Sequence, residues 1–328
     1  MRDAAEAQGV QTPALRIPAE LVPALVVFAL LAAGPILAEA YGGAYLTSLL
    51  MRVMILAIAA LSLDLLIGHG GLVSFGHAAF VGLGAYVAGI MITEGVIDLL
   101  AILAVAVAVA VAVAALTGAV SLRTTGVHFI MITLAFGQML YFTATSLSAY
   151  GGDDGLTLWE RADLWGTGLL ASDLGLYYAV LLTLVLTHAA LLKVVGSRFG
   201  RVLRAAAQNE TRVAALGYDV FRVRLVAYIL AAVIAAVAGV LLANQAEFVS
   251  PATLSWQRSG DLIIVVVLGG MGSRSGAVLG AAALVLIEEA LSSLTHDWRL
   301  IFGPMLILLA LASRGGLAAL ATWTIRRG

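Results

Sequence analysis

The sequence has no cysteine, a single lysine and few charged side chains of either sign. The absence of cysteine excludes disulfides, thiol chemistry and thiolate metal sites. Charged residues make up 11% of the 328 positions, whereas they make up roughly a quarter of an average soluble domain. Polar side chains are therefore too scarce to cover a soluble protein of this length, which indicates that part of the surface meets lipid.

Long apolar runs account for most of the chain. Hydrophobic residues make up 62% of it, and the mean hydropathy is +1.05. An apolar run of about 20 residues crosses a hydrocarbon core of roughly 30 Å as a helix. The sequence therefore predicts an all-α, polytopic membrane protein of about ten transmembrane helices. We place the spans at about 21–40, 45–67, 72–93, 98–120, 127–149, 176–196, 225–246, 259–272, 276–294 and 299–316.

Two of these spans have unusual sequences. Residues 101–115 alternate alanine and valine, which could indicate a strand, but a strand inside a long apolar run would leave backbone groups unpaired in hydrocarbon. We therefore interpret them as a lipid-facing helix. The eighth span is short and flanked by glycine, which is typical of half of a broken helix.

Arginine in the loops predicts the orientation, because cytoplasmic loops carry the excess of positive charge. The loop at about 193–224 is rich in arginine, whereas the loop at 150–175 is acidic and carries only Arg161. Ten spans from a cytoplasmic N-terminus place the first loop inside and the second in the periplasm. The predicted layout is a cytoplasmic segment 1–20, a single transmembrane domain 21–320 and a cytoplasmic tail 321–328. With a net charge of -1 and no basic footprint, we expect a lipid bilayer and no nucleic acid as partner.

Two glycine-rich stretches, 68–84 and 268–280, interrupt the apolar pattern. One interpretation is close helix packing, because small residues let backbones approach in lipid. The other is a pair of broken or re-entrant helices that line a translocation path. The glycines assigned to such path segments are Gly70, Gly71, Gly76, Gly269, Gly270 and Gly272.

Polar residues inside apolar spans are costly, so they face protein or water. They are Asp64, His77, Gln138, His188, Asn244, Asp261, Glu288 and Glu289. We predict that Ser74, His77 and Gln138 line the translocation path; the alternative is that they form hydrogen bonds between helices. His188 favours a structural role, and Glu288-Glu289 is expected to pair with Arg258 or Arg299.

The loop 197–224 is too polar to enter the bilayer and too regular to be a simple linker. Its pattern predicts a short amphipathic helix from about Val202 to Leu216, with Gly217 as the stop. An arginine-rimmed helix between two spans suits docking against a cytoplasmic partner. The alternative is a helix that lies on anionic lipid.

This loop resembles the coupling loop of ABC-importer permeases, where a Glu-Ala-Ala…Gly pattern forms the helix that sits in a cleft of the ATPase. Segments 61–89 (LSLDLLIGHGGLVSFGHAAFVGLGAYVAG), 122–140, 151–156 (GGDDGL), 247–281 and 298–310 follow in the order found in LivM-type permeases of branched-chain amino acid importers. Over about residues 45–320 the chain is similar to that family. The resemblance implies that the ATPase-coupling residues are Arg201, Arg204, Glu210, Ala214, Ala215 and Gly217.

The resemblance also implies partners and a location. They are a homologous second permease, two cytoplasmic ATPase subunits that hold ATP and Mg²⁺, and a periplasmic binding protein that docks near 150–175 and 247–258. The location is the bacterial inner membrane, with both termini cytoplasmic. Branched-chain amino acids are the expected substrates, and urea, short amides and aromatic acids are the alternatives within the same importer class.

Motifs for chemistry are missing from the sequence. It has no G-x-x-x-x-G-K-[ST] phosphate loop, no His-Glu-x-x-His metal spacing and no G-x-S-x-G nucleophile elbow. We therefore expect no catalytic residue, no metal site and no cofactor bound by this chain. A stand-alone secondary transporter, with Asp64, Asp261 or Glu288-Glu289 as its ion site, is the alternative outside the importer class.

Overall fold

The computed structural model describes residues 22–41, 43–294, 300–305 and 315–319. The predicted terminal segments 1–20 and 321–328, and much of the tenth predicted span, lie outside these residues. Most of the described chain is helical. The helices are α1 Val22–Ala32, α2 Gly34–Tyr41, α3 Gly43–Asp64 with a π-helical turn Leu65–His69, α4 His77–Thr93, α5 Leu99–Ser121, α6 Val127–Ser146, α7 Asp173–Gly196, α8 Arg198–Gln208, α9 Glu210–Ala215, α10 Val220–Ala246, α11 Trp256–Gly269 and α12 Gly276–Ser292. Two short strands, β1 Leu156–Thr157 and β2 Phe248–Val249, pair antiparallel.

Five helices of the described chain are long and apolar enough to cross a membrane. They are α3 with its π turn, α5, α6, α7 and α10, and they correspond to the predicted spans 45–67, 98–120, 127–149, 176–196 and 225–246. A mostly helical membrane protein is thus confirmed, while the count of ten spans stays a prediction. The span predicted at 21–40 is not one continuous helix: it is interrupted at Ala33, because Pro35 lacks an N–H and its ring clashes with the preceding turn. That these two helices together cross the membrane stays a prediction.

Helix α10 forms the centre of the bundle and packs against α3, α4 and α5. Its contact with α4 is made by backbone. A Cβ on Gly84 would lie 2.0 Å from the Ala236 carbonyl oxygen, and one on Gly239 would lie 1.8 Å from the Val81 carbonyl oxygen. Only glycine fits at these two crossings, so close packing accounts for this part of the first glycine-rich stretch.

The alanine–valine repeat forms the helix α5, as predicted. Ile102, Ala106, Ala110 and Ala114 are spaced four residues apart and are fully buried. Residues four apart lie on one face of a helix, and this face continues at Gly118, which meets Tyr228 of α10. Val105 and Val111 are exposed (41% and 38%), whereas Val113 packs partly against the core. The repeat therefore gives one face of small residues for helix packing and an opposite apolar face that can meet lipid.

We expect Ala110→Leu to lower the free energy of unfolding by about 1–3 kcal/mol, because Ala110 is fully buried and leaves no room for the larger side chain. The matched change Val111→Leu, on the neighbouring residue that is 38% exposed, should change it by no more than about 0.5 kcal/mol. Thermal unfolding of both variants in detergent measures the difference. Equal effects would contradict the packing role of the alanine face.

The bundle has two distinct ends. The ribbon end carries β1 and β2, and the loop end carries α8 and α9. Helix α3 connects them: Ser48 near its start accepts a hydrogen bond from Gln245 at the end of α10 (2.9 Å). Beyond its π turn, a Cβ on Gly71 would lie 3.2 Å from the Cβ of Ala207 in α8.

Helices α4 and α11 both begin inside the bundle rather than at one of its ends. The first residue of α4, His77, is hydrogen-bonded through Nε2 to Ser62 Oγ (2.7 Å), roughly 10 Å by helical rise before the π turn ends at His69. The next residue, Ala78, donates its N–H to Ser259 Oγ in the first turn of α11 (3.0 Å). From this meeting point α4 runs to the ribbon end and α11 to the loop end. The eighth predicted span is therefore a short helix, as the sequence indicated.

Candidate functional site

The loop between α7 and α10 folds into two helices. The prediction of one helix from Val202 to Leu216 is wrong, because Asn209 is extended (φ −157°) and interrupts it. The Asn209 side chain accepts a hydrogen bond from Arg212 N (2.9 Å) and so caps the start of α9. Gly217 is left-handed (φ +86°) just after α9, and this confirms it as the stop.

Both of the predicted coupling arginines attach α8 to the end of α7. Arg201 Nη1 donates to the Gly196 carbonyl (3.0 Å), and Arg204 Nη2 donates to the Val195 carbonyl (3.2 Å). The last carbonyls of a helix have no partner within the helix. Arginine at this position satisfies them and complements the helix dipole. Arg201 and Arg204 therefore hold the loop in place on this chain.

Glu210, the acidic residue of the Glu-Ala-Ala pattern, pairs with Arg224 in the first turns of α10. The Glu210 Oε2 and Arg224 Nη1 atoms are 2.7 Å apart. Arg224 is buried, and its Nη2 also lies 3.5 Å from the Ala206 carbonyl of α8. One buried guanidinium thus joins α8, α9 and the central helix. Nothing in the sequence singles out Arg224 as a functional residue, since charged residues are common where a loop leads into a span.

An apolar patch covers the end of α9 and the residues that follow it. Ala214 and Ala215 are exposed, and Leu216 and Tyr218 are 72% and 41% exposed. Leu216 and Tyr218 border a groove of about 250 Å³ whose other wall belongs to α8 and includes Arg201. An exposed apolar patch with a charged rim is typical of a protein-binding surface.

Helix α8 packs under the first glycine-rich stretch. Leu203 is fully buried, and its Cδ1 lies 3.6 Å from where a Cβ on Gly70 would be. Gly71 is left-handed (φ +64°), and a Cβ there would lie 3.2 Å from that of Ala207. A movement of α8 would therefore press directly on the turn that follows α3.

The two glycine-rich stretches meet at this same end of the bundle. Gly272 donates its N–H to Asp64 Oδ1 (2.8 Å), and a Cβ on Gly68 would lie only 2.2 Å from the Gly272 nitrogen. Gly270 and Gly272 have positive φ angles of 108° and 70°, while a Cβ on Gly269 would lie 2.0 Å from the Gly276 carbonyl oxygen. The contact joins the π turn of α3 to the turn between α11 and α12. Periodicity in the sequence gives no signal for it.

A cavity of about 590 Å³, here called the loop-end cavity, opens beside this contact. Its wall combines polar groups with aliphatic side chains from α3, α7, α8 and the α11–α12 turn. The polar wall includes Asp64, His69, His188, Arg204 and Gly272. His188 also packs edge-to-face on Phe28, with ring centroids 5.3 Å apart.

The residues predicted to line a path lie elsewhere. Ser74 and His77 are fully buried at the start of α4, and Gln138 is half-buried on α6. Their backbones come close together, because Gly76 lies between Ser74 and His77, and a Cβ on Gly137, next to Gln138, would lie 3.2 Å from the Gly76 Cα. None of the three borders the loop-end cavity, so their role in a path stays a prediction.

The acidic pair on α12 has partners other than those predicted. Glu288 forms an ion pair with Arg52 of α3 (2.9 Å), and Glu289 accepts a hydrogen bond from Tyr45. Arg258 instead lies 3.4 Å from Asp261, three residues along its own helix. The predicted pairing with Arg258 is therefore wrong, because α12 lies against α3. Arg299, the other predicted partner, is outside the described residues.

At the ribbon end, the segments 150–175 and 247–258 are brought together. Leu156 pairs with Val249 across the two strands. Arg161 pairs with Asp173 at 2.7 Å and with Glu247 at 2.8 Å, which links both segments to the start of α7. A continuous surface is thus built from two loops that are far apart in sequence.

Polar and aromatic residues complete the ribbon end. Asn244 Oδ1 accepts a hydrogen bond from Ala162 N (2.7 Å) and fixes the loop on α10. The Tyr150 hydroxyl donates to Glu94 (2.9 Å), and this hydrogen bond raises the pKa of Tyr150. Trp159 and Trp165 are 92% and 74% exposed. Aromatic and acidic groups therefore face outward at this end.

Comparison with known proteins identifies relatives along most of the chain. Residues 45–311 match the profile of the permease component of branched-chain amino acid transport systems. The high-affinity branched-chain amino acid transport system permease protein LivM of Escherichia coli is 28% identical over 80% of this chain and 68% of its own length. LivM of Salmonella typhimurium is 26% identical over the same shares. LivH of Escherichia coli is 35% identical over 35% of this chain and 37% of its own length. No solved structure matches.

Proposed function

Because the chain belongs to the family of permease components of branched-chain amino acid transport systems, we propose that it is a membrane subunit of an ATP-driven importer of branched-chain amino acids. In this proposal a homologous second permease completes the translocation path. Partner ATPases supply the energy, and a binding protein delivers the substrate. The similarity to both LivM and LivH supports the paired permease.

The observation that carries the proposal is the construction of the loop end. Helices α8 and α9 expose an apolar groove, while Arg224 joins them from beneath to the central helix α10. Leu203 and Ala207 of α8 also touch the turn at Gly70 and Gly71. A partner that pulls on the groove would move α10 and the end of α3 together. This arrangement suits a device that converts movement of an ATPase into movement of helices.

The arginine-rich loop supports a cytoplasmic loop end. The ribbon end then faces the periplasm, where the joined segments 150–175 and 247–258 form a surface for the binding protein. Both termini are cytoplasmic if the shorter helices complete a set of about ten spans. The membrane is the bacterial inner membrane, since binding protein and ATP are available on its opposite sides.

The path itself is proposed to pass the meeting point of α4 and α11. Half-helices that begin at mid-depth are typical of transporter binding regions. Ser74 and His77 lie at the start of α4. Gln138 lies on the adjacent helix α6 and is partly exposed. The second permease would cover this side of α6.

Reconstitution into liposomes tests the function. The chain is combined with its second permease, the ATPases and the binding protein, and uptake of labelled leucine is measured with ATP inside the vesicles. We expect uptake only when all components are present. Competition by unlabelled isoleucine, valine, urea, short amides and aromatic acids identifies the substrate class.

The same experiment separates the importer from a stand-alone transporter. Uptake by this chain alone that collapses with an ion gradient would refute the importer. Uptake that competes with urea or aromatic acids but not with isoleucine or valine would keep the importer and replace its substrate.

A substitution in the groove tests the docking surface. Leu216→Asp places a charge in the apolar patch, and we expect it to lower copurification of the ATPases about tenfold, as loss of a central apolar contact does. Leu169→Asp is the matched control, because Leu169 is also an exposed leucine (58%) but lies at the ribbon end. If both variants retain the ATPases, the groove is not their docking surface.

A further inference from the structure

The loop-end cavity combines one acidic side chain, two arginines (Arg204 and Arg274) and aliphatic walls. Asp64 comes from α3 and Arg204 from α8, and both border the same space. The aliphatic wall includes Leu61, Leu191 and Met271. The three kinds of surface match the three parts of an aliphatic amino acid: its ammonium, its carboxylate and its side chain.

We propose that the loop-end cavity binds a free amino acid with an aliphatic side chain, with its ammonium at Asp64 and its carboxylate at Arg204. The inference rests on the proposed function for the choice of substrate class. It adds to that function a binding site inside this subunit, at the end from which the substrate would leave.

Asp64 has the capacity for such a ligand. A carboxylate offers about four acceptor positions. Among the residues that the structure describes, its one hydrogen-bond donor is the N–H of Gly272. Asp64 is only 4% exposed, and a buried carboxylate is stable only when it is paired or fully hydrogen-bonded. A ligand ammonium would supply the missing charge and donors.

Arg204 has donors to spare for the carboxylate. A guanidinium carries five N–H donors in a planar fork, and Arg204 uses Nη2 for the Val195 carbonyl. Arginine binds carboxylates in a bidentate manner, which fixes the orientation of the ligand. His188 adds a further polar group, since neither of its ring nitrogens has a partner within the described part of the chain.

The size of the cavity fits the ligand. Small-molecule sites usually occupy roughly 300–1,000 Å³, and the loop-end cavity measures about 590 Å³. A ligand in the cavity would join α3 to α8. The segment after α3 already touches α8, at Gly71 and Ala207.

Equilibrium binding of tritiated L-leucine tests the site. The complete importer without its binding protein is held in phosphatidylcholine nanodiscs, so that no lipid with a primary ammonium competes. We expect saturable binding that Asp64→Asn and Arg204→Gln each weaken about tenfold or more, because each removes one charge-assisted contact. Asparagine keeps the acceptor for Gly272, so this variant isolates the charge.

Controls distinguish a failure of the proposed binding site from a failure of the proposed function. Arg222→Gln removes an exposed arginine of the same loop that does not border the cavity, and it should leave binding unchanged. Isoamylamine, which lacks the carboxylate, and 4-methylpentanoate, which lacks the ammonium, should compete poorly. Normal ATP-driven uptake without leucine binding, or binding unaffected by Asp64→Asn, would overturn the site and leave the importer intact. Absence of uptake for every amino acid would overturn the proposed function instead.

Discussion

Gly68→Ala is expected to reduce leucine uptake by the complete importer by about tenfold or more, and to lower the free energy of unfolding by about 1–3 kcal/mol. The added Cβ would lie 2.2 Å from the nitrogen of Gly272 and 2.4 Å from Asp64 Oδ1. Backbone cannot yield as the tip of a flexible side chain can, so the π turn and the α11–α12 turn must separate. The hydrogen bond between Gly272 and Asp64 would be lost with that separation.

Gly260→Ala is the control for this experiment. A Cβ on Gly260 would have no neighbouring atom within 4 Å, although this glycine also lies in a helix of the bundle. Uptake in proteoliposomes and thermal unfolding are measured on both variants. Normal uptake by the Gly68→Ala protein would show that the contact between the two glycine-rich stretches is dispensable for transport.

Glu210→Ala is expected to uncouple ATP hydrolysis from uptake and to destabilise the loop end by about 1–3 kcal/mol. The change leaves the guanidinium of Arg224, which is buried, without its carboxylate. Arg224→Met should cost less stability, because it leaves Glu210, whose side chain is 50% exposed, in contact with water. Both changes release α9 from α10, so both should lower the amount of leucine imported per ATP hydrolysed.

Arg222→Ala provides the comparison for an exposed ion pair in the same loop. Arg222 pairs with Asp219 at 2.9 Å, and both side chains are largely exposed (83% and 51%). Removal of such a pair changes stability by at most about 1 kcal/mol and often by nothing measurable. Leucine uptake and ATPase activity are measured together in proteoliposomes. The Arg224 connection is not the coupling element if the Glu210→Ala importer transports as much leucine per ATP hydrolysed as the unmodified importer, while the Arg222→Ala importer transports less.

The role of the Glu-Ala-Ala…Gly loop changes once its contacts are known. The sequence indicated a single docking helix whose arginines and glutamate meet the partner. In the structure Arg201, Arg204 and Glu210 are directed at α7 and α10, whereas Leu216 and Tyr218 face outward. These three charged residues therefore stabilise the loop on this chain, and Leu216 and Tyr218 supply the apolar part of the groove that a partner can reach, which Arg201 also borders.

Sequence by itself determined the membrane environment, the helical class, the long spans and the position of the polar loop. These features depend on local composition and on the period of apolar residues, both of which are visible along the chain. It also identified Gly217 as a stop, because a left-handed position after a helix favours glycine.

Tertiary structure alone decided which distant residues meet. Asp64 with Gly272, Glu210 with Arg224 and Glu288 with Arg52 are separated by between 14 and 236 residues. In a single sequence, a buried polar residue shows that some partner is needed but not which one. The meeting of α4 and α11 inside the bundle, where Ala78 N donates to Ser259 Oγ, is likewise decided by the tertiary structure, because it depends on the path of the whole chain and not on any local pattern.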